Sequence, residues 1–267
     1  MEADDKMSDF NVMKESIAQH CKILKLSSNF AEQAMTQNAS TNQEYLNTLL
    51  DDEIRFRKEK RITKYLNTAG FPRMYDRQQF RTNDIVFQGG ATFENLLDVE
   101  FYKKGNNVIM YGGSGTGKTM LSILIGIAAC KKDIPVKFYR TAGFINLFAE
   151  NKAKGTLTKF KKKLDSTAHI LILDEFGYVP YDKVGAQLFF DYLSEIHEQE
   201  NRSVILSTNL EFSQWVNVLY DEKMTTALIG RLTHHVELLL FQGGNNRLKE
   251  SSLNDAIEKL SHKEAKN

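Results

Sequence analysis

The hydrophobic rhythm of the chain changes part of the way along. From about residue 10 to about residue 80, apolar side chains recur three or four positions apart, as in Tyr45, Leu46, Leu49, Leu50, Ile54 and Phe56, and strand signals are missing. That spacing predicts a small all-helical domain over residues 1–82. Gly70-Phe71-Pro72 breaks the pattern, and a mixed stretch through Gly89-Gly90 leads into a second region, 83–252. There, short β-branched runs alternate with helical segments. Strands are expected at Val108–Tyr111, Val136–Tyr139, Ile170–Leu173, Ser203–Thr208 and Val236–Phe241, with helices such as Thr119–Cys130 and Val184–Glu198 between them. Strands separated by helices imply βαβ units, hence an α/β fold with a parallel sheet covered on both faces. Residues 253–267 read as a polar helical tail.

Length fits this division, since 267 residues hold one large α/β domain with a small appendage. The longest apolar run, Leu121–Cys130, is too short to cross a bilayer, and the acidic start Met1-Glu2-Ala3-Asp4-Asp5 is unlike a signal peptide, so a cytoplasmic protein without a membrane partner is expected. Cys21 and Cys130 have no CxxC spacing, which offers neither a disulfide framework nor a zinc site; both are expected as buried, reduced thiols. A formal charge of only +1 leaves any nucleic-acid binding to local patches. Two are present. Arg55, Arg57, Lys58, Lys60, Arg61 and Lys64 crowd one helical stretch, and Lys152, Lys154, Lys159, Lys161, Lys162 and Lys163 have no acid among them. Such clusters neutralise phosphates without reading sequence, but a solvated helix face or loop has the same composition.

The chemistry concentrates in two motifs. Gly112-Gly113-Ser114-Gly115-Thr116-Gly117-Lys118-Thr119 matches GxxxxGK[ST], preceded by an apolar strand and followed by a helix pattern, which is the context a phosphate-binding loop requires. Glycines let backbone N–H groups turn inward around phosphate oxygens, and the helix N-terminus adds its positive dipole. Lys118 would reach the β- and γ-phosphates of ATP, and the Thr119 hydroxyl would ligate Mg²⁺. The second motif, His169-Ile170-Leu171-Ile172-Leu173-Asp174-Glu175, is an apolar strand ending in two acids at the carboxyl edge of the sheet. Asp174 suits the Mg²⁺ role. Glu175, turned differently by strand alternation, would polarise the attacking water. The pair favours hydrolysis of ATP to ADP and phosphate over mere binding.

Beyond the acids, Asp174-Glu175-Phe176-Gly177-Tyr178-Val179-Pro180 resembles the DEfGYlP signature of the IstB-like transposition helper ATPases, a branch of the AAA+ P-loop NTPases close to the DnaC-type helicase loaders. The likeness continues through Ser207-Thr208-Asn209, Glu211-Phe212-Ser213-Gln214-Trp215, Arg231-Leu232-Thr233-His234-His235 and Asn245-Asn246-Arg247-Leu248. It runs from about Asn42 nearly to the end and includes Ala69-Gly70-Phe71-Pro72, placed in the helical domain. The resemblance implies further roles. Asn209 would be a polar sensor placing the water, or else a loop-capping Asn. Arg231 would be an arginine finger acting in trans within a homo-oligomer, or else a surface Arg, and Arg247 would be the second sensor.

It further implies sequence-nonspecific double-stranded DNA and a DDE-type transposase as partners, with assembly on DNA favoured by ATP and release by hydrolysis. DNA and the transposase would stimulate turnover. The Lys152 to Lys163 segment would then face the DNA. Gly230, where the family usually has Asp, Asn245-Asn246, where it has Ser-Tyr, and Met120, where it has His, depart from the pattern and bear on the subunit interface. Adjacent His234 and His235 point apart and read as structural. A helicase loader would share the whole ATP site and differ in partner. A small-molecule kinase would need an acceptor pocket and an arginine-rich lid that the sequence does not offer, and an ATP-gated scaffold would turn over negligibly.

Overall fold

The computed structural model describes residues 2–179, 181–199 and 201–244, in two compact units, Met1–Lys64 and Tyr65–Asn267. The first unit holds α1 (Glu2–Ile23), α2 (Ser28–Thr36) and most of α3 (Asn42–Thr68). Ser27 starts α2 because its Oγ accepts the Phe30 amide at 3.1 Å, replacing an intrahelical bond the first turn lacks. The same hydroxyl and its amide donate to the buried Glu53 of α3, which also accepts from Arg57 Nε at 2.6 Å. Burial alone would raise the Glu53 carboxyl, but the bonds from Ser27 and Arg57 and the Arg57 charge outweigh it and hold the group below its ordinary value. Of the apolar stripe expected on α3, Leu49 is buried while Leu46, Leu50 and Ile54 are exposed.

The second unit is built on six strands, β1 (Ile85–Gln88), β2 (Asn107–Gly112), β3 (Val136–Arg140), β4 (Ile170–Phe176), β5 (Ser203–Thr208) and β6 (Val236–Phe241), in the order β1–β6–β2–β5–β4–β3. Strands β2 to β6 run parallel. The all-parallel expectation needs correction at one edge, where β1 pairs antiparallel with β6 from Ile85 opposite Phe241 to Gln88 opposite Leu238. Only four residues long, β1 escapes a periodicity reading, and what defines it is its partner.

Helix α6 (Lys118–Lys131) covers one face of the sheet with an almost wholly apolar sequence, packing Leu121, Ile123, Ile125 and Ala129 with Val108, Met110, Ile170 and Ile172. On the opposite face α7 (Thr141–Ala153), α8 (Leu157–Thr167), α9 (Lys183–His197), α10 (Val216–Leu219) and α11 (Glu222–Thr233) contribute to a second cluster that contains Ile109, Leu171, Leu173 and Leu206. Alternating strand residues thus feed two cores. Two short helices, α4 (Phe93–Leu97) and α5 (Glu100–Lys103), complete the unit before β2.

Residues 65–82, expected in the helical domain, fold with this second unit. Ala69 is buried and its carbonyl accepts the Phe138 amide at 2.7 Å, so the segment after α3 covers the free edge of β3. Phe71 lies against α6 at Gly126, where a Cβ would come within 2.7 Å of its ring. Ala69 and Phe71 of the Ala69-Gly70-Phe71-Pro72 motif therefore pack with the nucleotide-domain core, while Gly70 and Pro72 are exposed.

Candidate nucleotide site

Strand β2 delivers the glycine loop. At Gly112 the backbone takes φ 153°, and a Cβ there would lie 2.4 Å from the Phe241 carbonyl, so the loop can leave the sheet beside β6 only as glycine. Thr116 Oγ1 donates to the Gly113 carbonyl at 2.8 Å and braces the turn. Lys118, the first residue of α6, donates to the Gly112 and Gly113 carbonyls at 2.6 Å each. Its ammonium is drawn back over the loop it would share with phosphate oxygens.

Asp174 is only 2% exposed. Thr119 Oγ1 donates to it at 2.9 and 3.1 Å, and Ser207 Oγ donates at 2.5 Å. A buried carboxylate whose hydrogen bonds come from neutral hydroxyls fits a hard cation such as Mg²⁺, which takes few protein oxygens and leaves other positions to phosphates and water. Among the described residues there is no group of three or more His, Cys, Asp or Glu that could hold a metal ion. Thr119 and Asp174 are the residues that would hold it.

Glu175 is aimed by a different device from the one expected. Leu173 faces Leu206 and Phe176 faces Thr208, so two residues of β4 oppose one of β5, which is a β-bulge. Within it Glu175 adopts a left-handed φ of 58°, a conformation costing a non-glycine residue about 1 kcal/mol or more. Simple strand alternation is therefore broken at the acid itself. The Glu175 amide donates to Ser207 Oγ at 3.0 Å, and the carboxylate stands 3.6 Å from Arg140 Nε at the end of β3. Thr141 Oγ1 adds a bond to the Asp174 carbonyl at 2.9 Å. The sequence motifs assign no role to Arg140, Thr141 or Ser207. The available signal was a hydroxyl ending the otherwise apolar β5 beside the acid strand.

Past the acids, buried Phe176 packs against Trp215 with the rings tilted by 49° and 4.4 Å between centroids. Gly177 N donates to the Tyr181 hydroxyl at 2.7 Å, and burial pushes that phenol up to about 12, so it stays neutral. Tyr178 and Val179 are exposed, and Pro180 lies outside the described residues.

Lys118, Thr119, Asp174 and Glu175 converge at the carboxyl edge of the sheet, and exposed Asn209 follows β5 at that edge. Arg231 is elsewhere. It occupies the last turn of α11, whose chain enters β6 at the amino edge, about 20 Å away across a six-residue strand. Its guanidinium lies 5.1 Å over the Phe190 ring, with Nη1 buried and without an acceptor among the described residues. Arg247 and the tail 253–267 lie outside the described residues.

The basic clusters are partly occupied. Arg55 pairs with Asp52 at 2.5 Å, and Arg57 is tied to Glu53 and the Lys25 carbonyl. Lys58 is exposed, Lys60 lies over the Phe56 ring, and Arg61 and Lys64 have partners of their own. In the second cluster Lys161 pairs with the sequence-distant Glu195 at 2.6 Å, and Lys154 with Glu150, one helical turn earlier, at 3.4 Å. Lys152, Lys159, Lys162 and Lys163 remain exposed.

Comparison with known proteins identifies relatives along most of the chain. Residues 17–254 match the family described as IstB-like ATP binding protein. The chain is 31% identical over 210 residues to the ATP-binding protein of insertion sequence IS232 from Bacillus thuringiensis subsp. berliner, covering 78% of this chain and 82% of that one. It is 33% identical over 210 residues to that of IS21 from Pseudomonas aeruginosa, covering 78% and 77%. It is 29% identical over 256 residues to that of IS5376 from Geobacillus stearothermophilus, covering 92% and 99%. Among solved structures, DnaI aligns at TM-score 0.50 with 16% identity over 67% of this chain and 93% of that one. The replication initiator DnaA bound to AMPPCP and single-stranded DNA aligns at 0.50 with 21% identity over 70% and 60%. Those likenesses show the fold, a P-loop sheet flanked by helices. With the glycine loop, the buried acid and the matched length taken together, the chain belongs to the IstB-like ATP-binding protein family.

Proposed function

We propose that this protein is a Mg²⁺-dependent ATPase that assembles on double-stranded DNA with ATP, recruits or activates a DDE-type transposase, and leaves the DNA on hydrolysis. The observation that carries the catalytic half is the buried Asp174 beside Thr119 and Lys118, with Glu175 re-aimed by the bulge next to it. Mg²⁺ held by Thr119 and Asp174 would neutralise charge on the phosphates. Lys118 and the loop amides would bind the β- and γ-phosphates, Glu175 would accept the proton of the attacking water, and Asn209 would orient that water. Arg231 at the amino edge is too far to serve its own nucleotide, which favours action on a neighbouring copy, with Arg247 as a second sensor. Exposed Lys152, Lys159, Lys162 and Lys163 would take DNA phosphates without sequence readout. A nucleotide domain that begins at Tyr65 and a cytoplasmic location belong to the same reading, which draws its transposition role from the insertion-sequence relatives. Among the described residues, no helix is long and apolar enough to cross a membrane.

The test is nucleotide retention and phosphate release by the full chain. Lys118→Ala abolishes retention of a fluorescent ATP analogue with Mg²⁺, whereas Glu175→Gln retains it and slows phosphate release by about 10² to 10⁴. Retention by Lys118→Ala would overturn the site. Turnover unchanged in Glu175→Gln would leave an ATP-gated scaffold.

A further inference from the structure

Four cationic or cationisable groups meet where α9 and α11 end. Arg231 and His234 lie at the end of α11, His235 leads into β6, and His197 closes α9. The His234 and His235 rings, expected to point apart, instead meet edge to face at 4.2 Å, and His197 is 5.9 Å from His234. Beside them opens a cleft of about 480 Å³ whose charged or titratable lining is Lys103, Lys104, His197, Glu198, Arg202 and His235. Arg202 is engaged by Asp165 and Lys103 by Glu100, leaving Glu198 as the one acid in that lining.

Helix ends explain part of this. A cation at a helix C-terminus is stabilised by about 0.3–1 kcal/mol, and two helices end here. Two helix ends of about −0.5 charge each match one fixed cation and leave nothing over for protonated imidazoles. They also give no acceptor to Arg231 Nη1, which is buried on Phe190 without one among the described residues. Three imidazoles invite a metal, but no group of this kind among the described residues converges on a metal position. What fits the cluster is a multivalent anion from outside the chain, since the chain's own glycine loop lies at the other edge of the sheet.

We propose that His197, His234 and His235 flank Arg231 as a receptor for the phosphate oxygens of a nucleotide held by a second copy of this chain, and that their protonation ties ATP-dependent self-association to pH. This rests on the reading in which Arg231 acts in trans. Burial depresses His197 first, and the charges of His234, Arg231 and His235 depress it further, against a smaller opposing effect of Glu198. Free, the cluster therefore tends to stay neutral at this ring. An anion arriving beside His197 reverses that balance and favours its protonated ring, so association takes up protons. The sign follows. The gain in affinity is fully present below the free pKa and is lost as pH rises through the bound one.

The experiment is sedimentation of the full-length protein with Mg²⁺ and a non-hydrolysable ATP analogue between about pH 6 and about pH 8, a range that spans imidazole titration. Nucleotide occupancy is measured at each pH on dilute protein. Wild type is expected to associate about tenfold more tightly at the acid end, the size of one pKa unit of proton coupling. The His197→Gln/His234→Gln/His235→Gln variant keeps nucleotide occupancy and the association seen at the alkaline end but loses the acid gain. Arg231→Ala lowers association at both ends. An unchanged acid gain in the triple variant overturns the histidine receptor alone. A histidine-dependent gain that appears with duplex DNA and without nucleotide overturns it in favour of nucleic-acid phosphates. No nucleotide-dependent association at any pH removes the trans reading and this proposal with it, while leaving nucleotide retention as a separate result.

Discussion

Ser207 holds both acids of the site at once, donating its hydroxyl proton to Asp174 and accepting the Glu175 amide. A hydrogen bond to a charged group is worth about 1.5–3 kcal/mol, so Ser207→Ala is expected to slow phosphate release by about 10- to 100-fold, read in steady state at saturating Mg²⁺ and ATP. Arg140 acts on Glu175 from the other side, over 3.6 Å and in solvent. An exposed pair contributes about 0.2–1 kcal/mol, so Arg140→Ala is expected to raise DNA-free turnover by about 1.5- to 5-fold through release of Glu175. A fall in that rate would show that Arg140 orients the acid for chemistry. In the helical unit, Glu53 has a lowered pKa in the folded state. The stability it supplies is therefore present above its unfolded value and lost as pH falls through the folded one. Acid unfolding followed by circular dichroism should show wild type losing that margin at low pH, while Glu53→Gln lacks it throughout.

At the scale of elements, α6 and α11 treat glycine in opposite ways. Gly126 of α6 faces the Phe71 ring and Ile172, so Gly126→Val overpacks the junction and is expected to destabilise by about 1–3 kcal/mol in urea unfolding. A Cβ at Gly230 of α11 would meet nothing within 4 Å, so the space there accepts a side chain. Gly230→Ala is expected to stabilise by about 0.5–1 kcal/mol in the same measurement, because alanine leaves less backbone entropy to lose and meets no obstacle. The two outcomes depend on tertiary neighbours, since both glycines sit in helical sequence with helix-forming residues around them.

For the whole molecule, the DNA reading concentrates on the exposed lysines that, among the described residues, form no ion pair with a neighbouring element. Lys162→Glu/Lys163→Glu is expected to weaken duplex binding and to reduce the salt slope of log affinity by about 2, measured by fluorescence anisotropy. Lys161→Glu instead breaks the ion pair with Glu195 and should report mainly in stability.

What the sequence determined by itself is the contiguous chemistry. The glycine loop, its lysine and threonine, the apolar strand ending in Asp174 and Glu175, and the helix behind the loop each lie within one short run, so local spacing is enough to specify them. Only the tertiary structure decided what depends on two distant segments meeting. It paired β1 with β6, laid residues 65–82 along β3 and α6, put the bulge under Glu175, brought Ser207 and Arg140 to the acids, gave Lys161 to Glu195 and settled Arg231 on Phe190. No period along the chain encodes such contacts, because each follows from which strands are neighbours and where their ends fall.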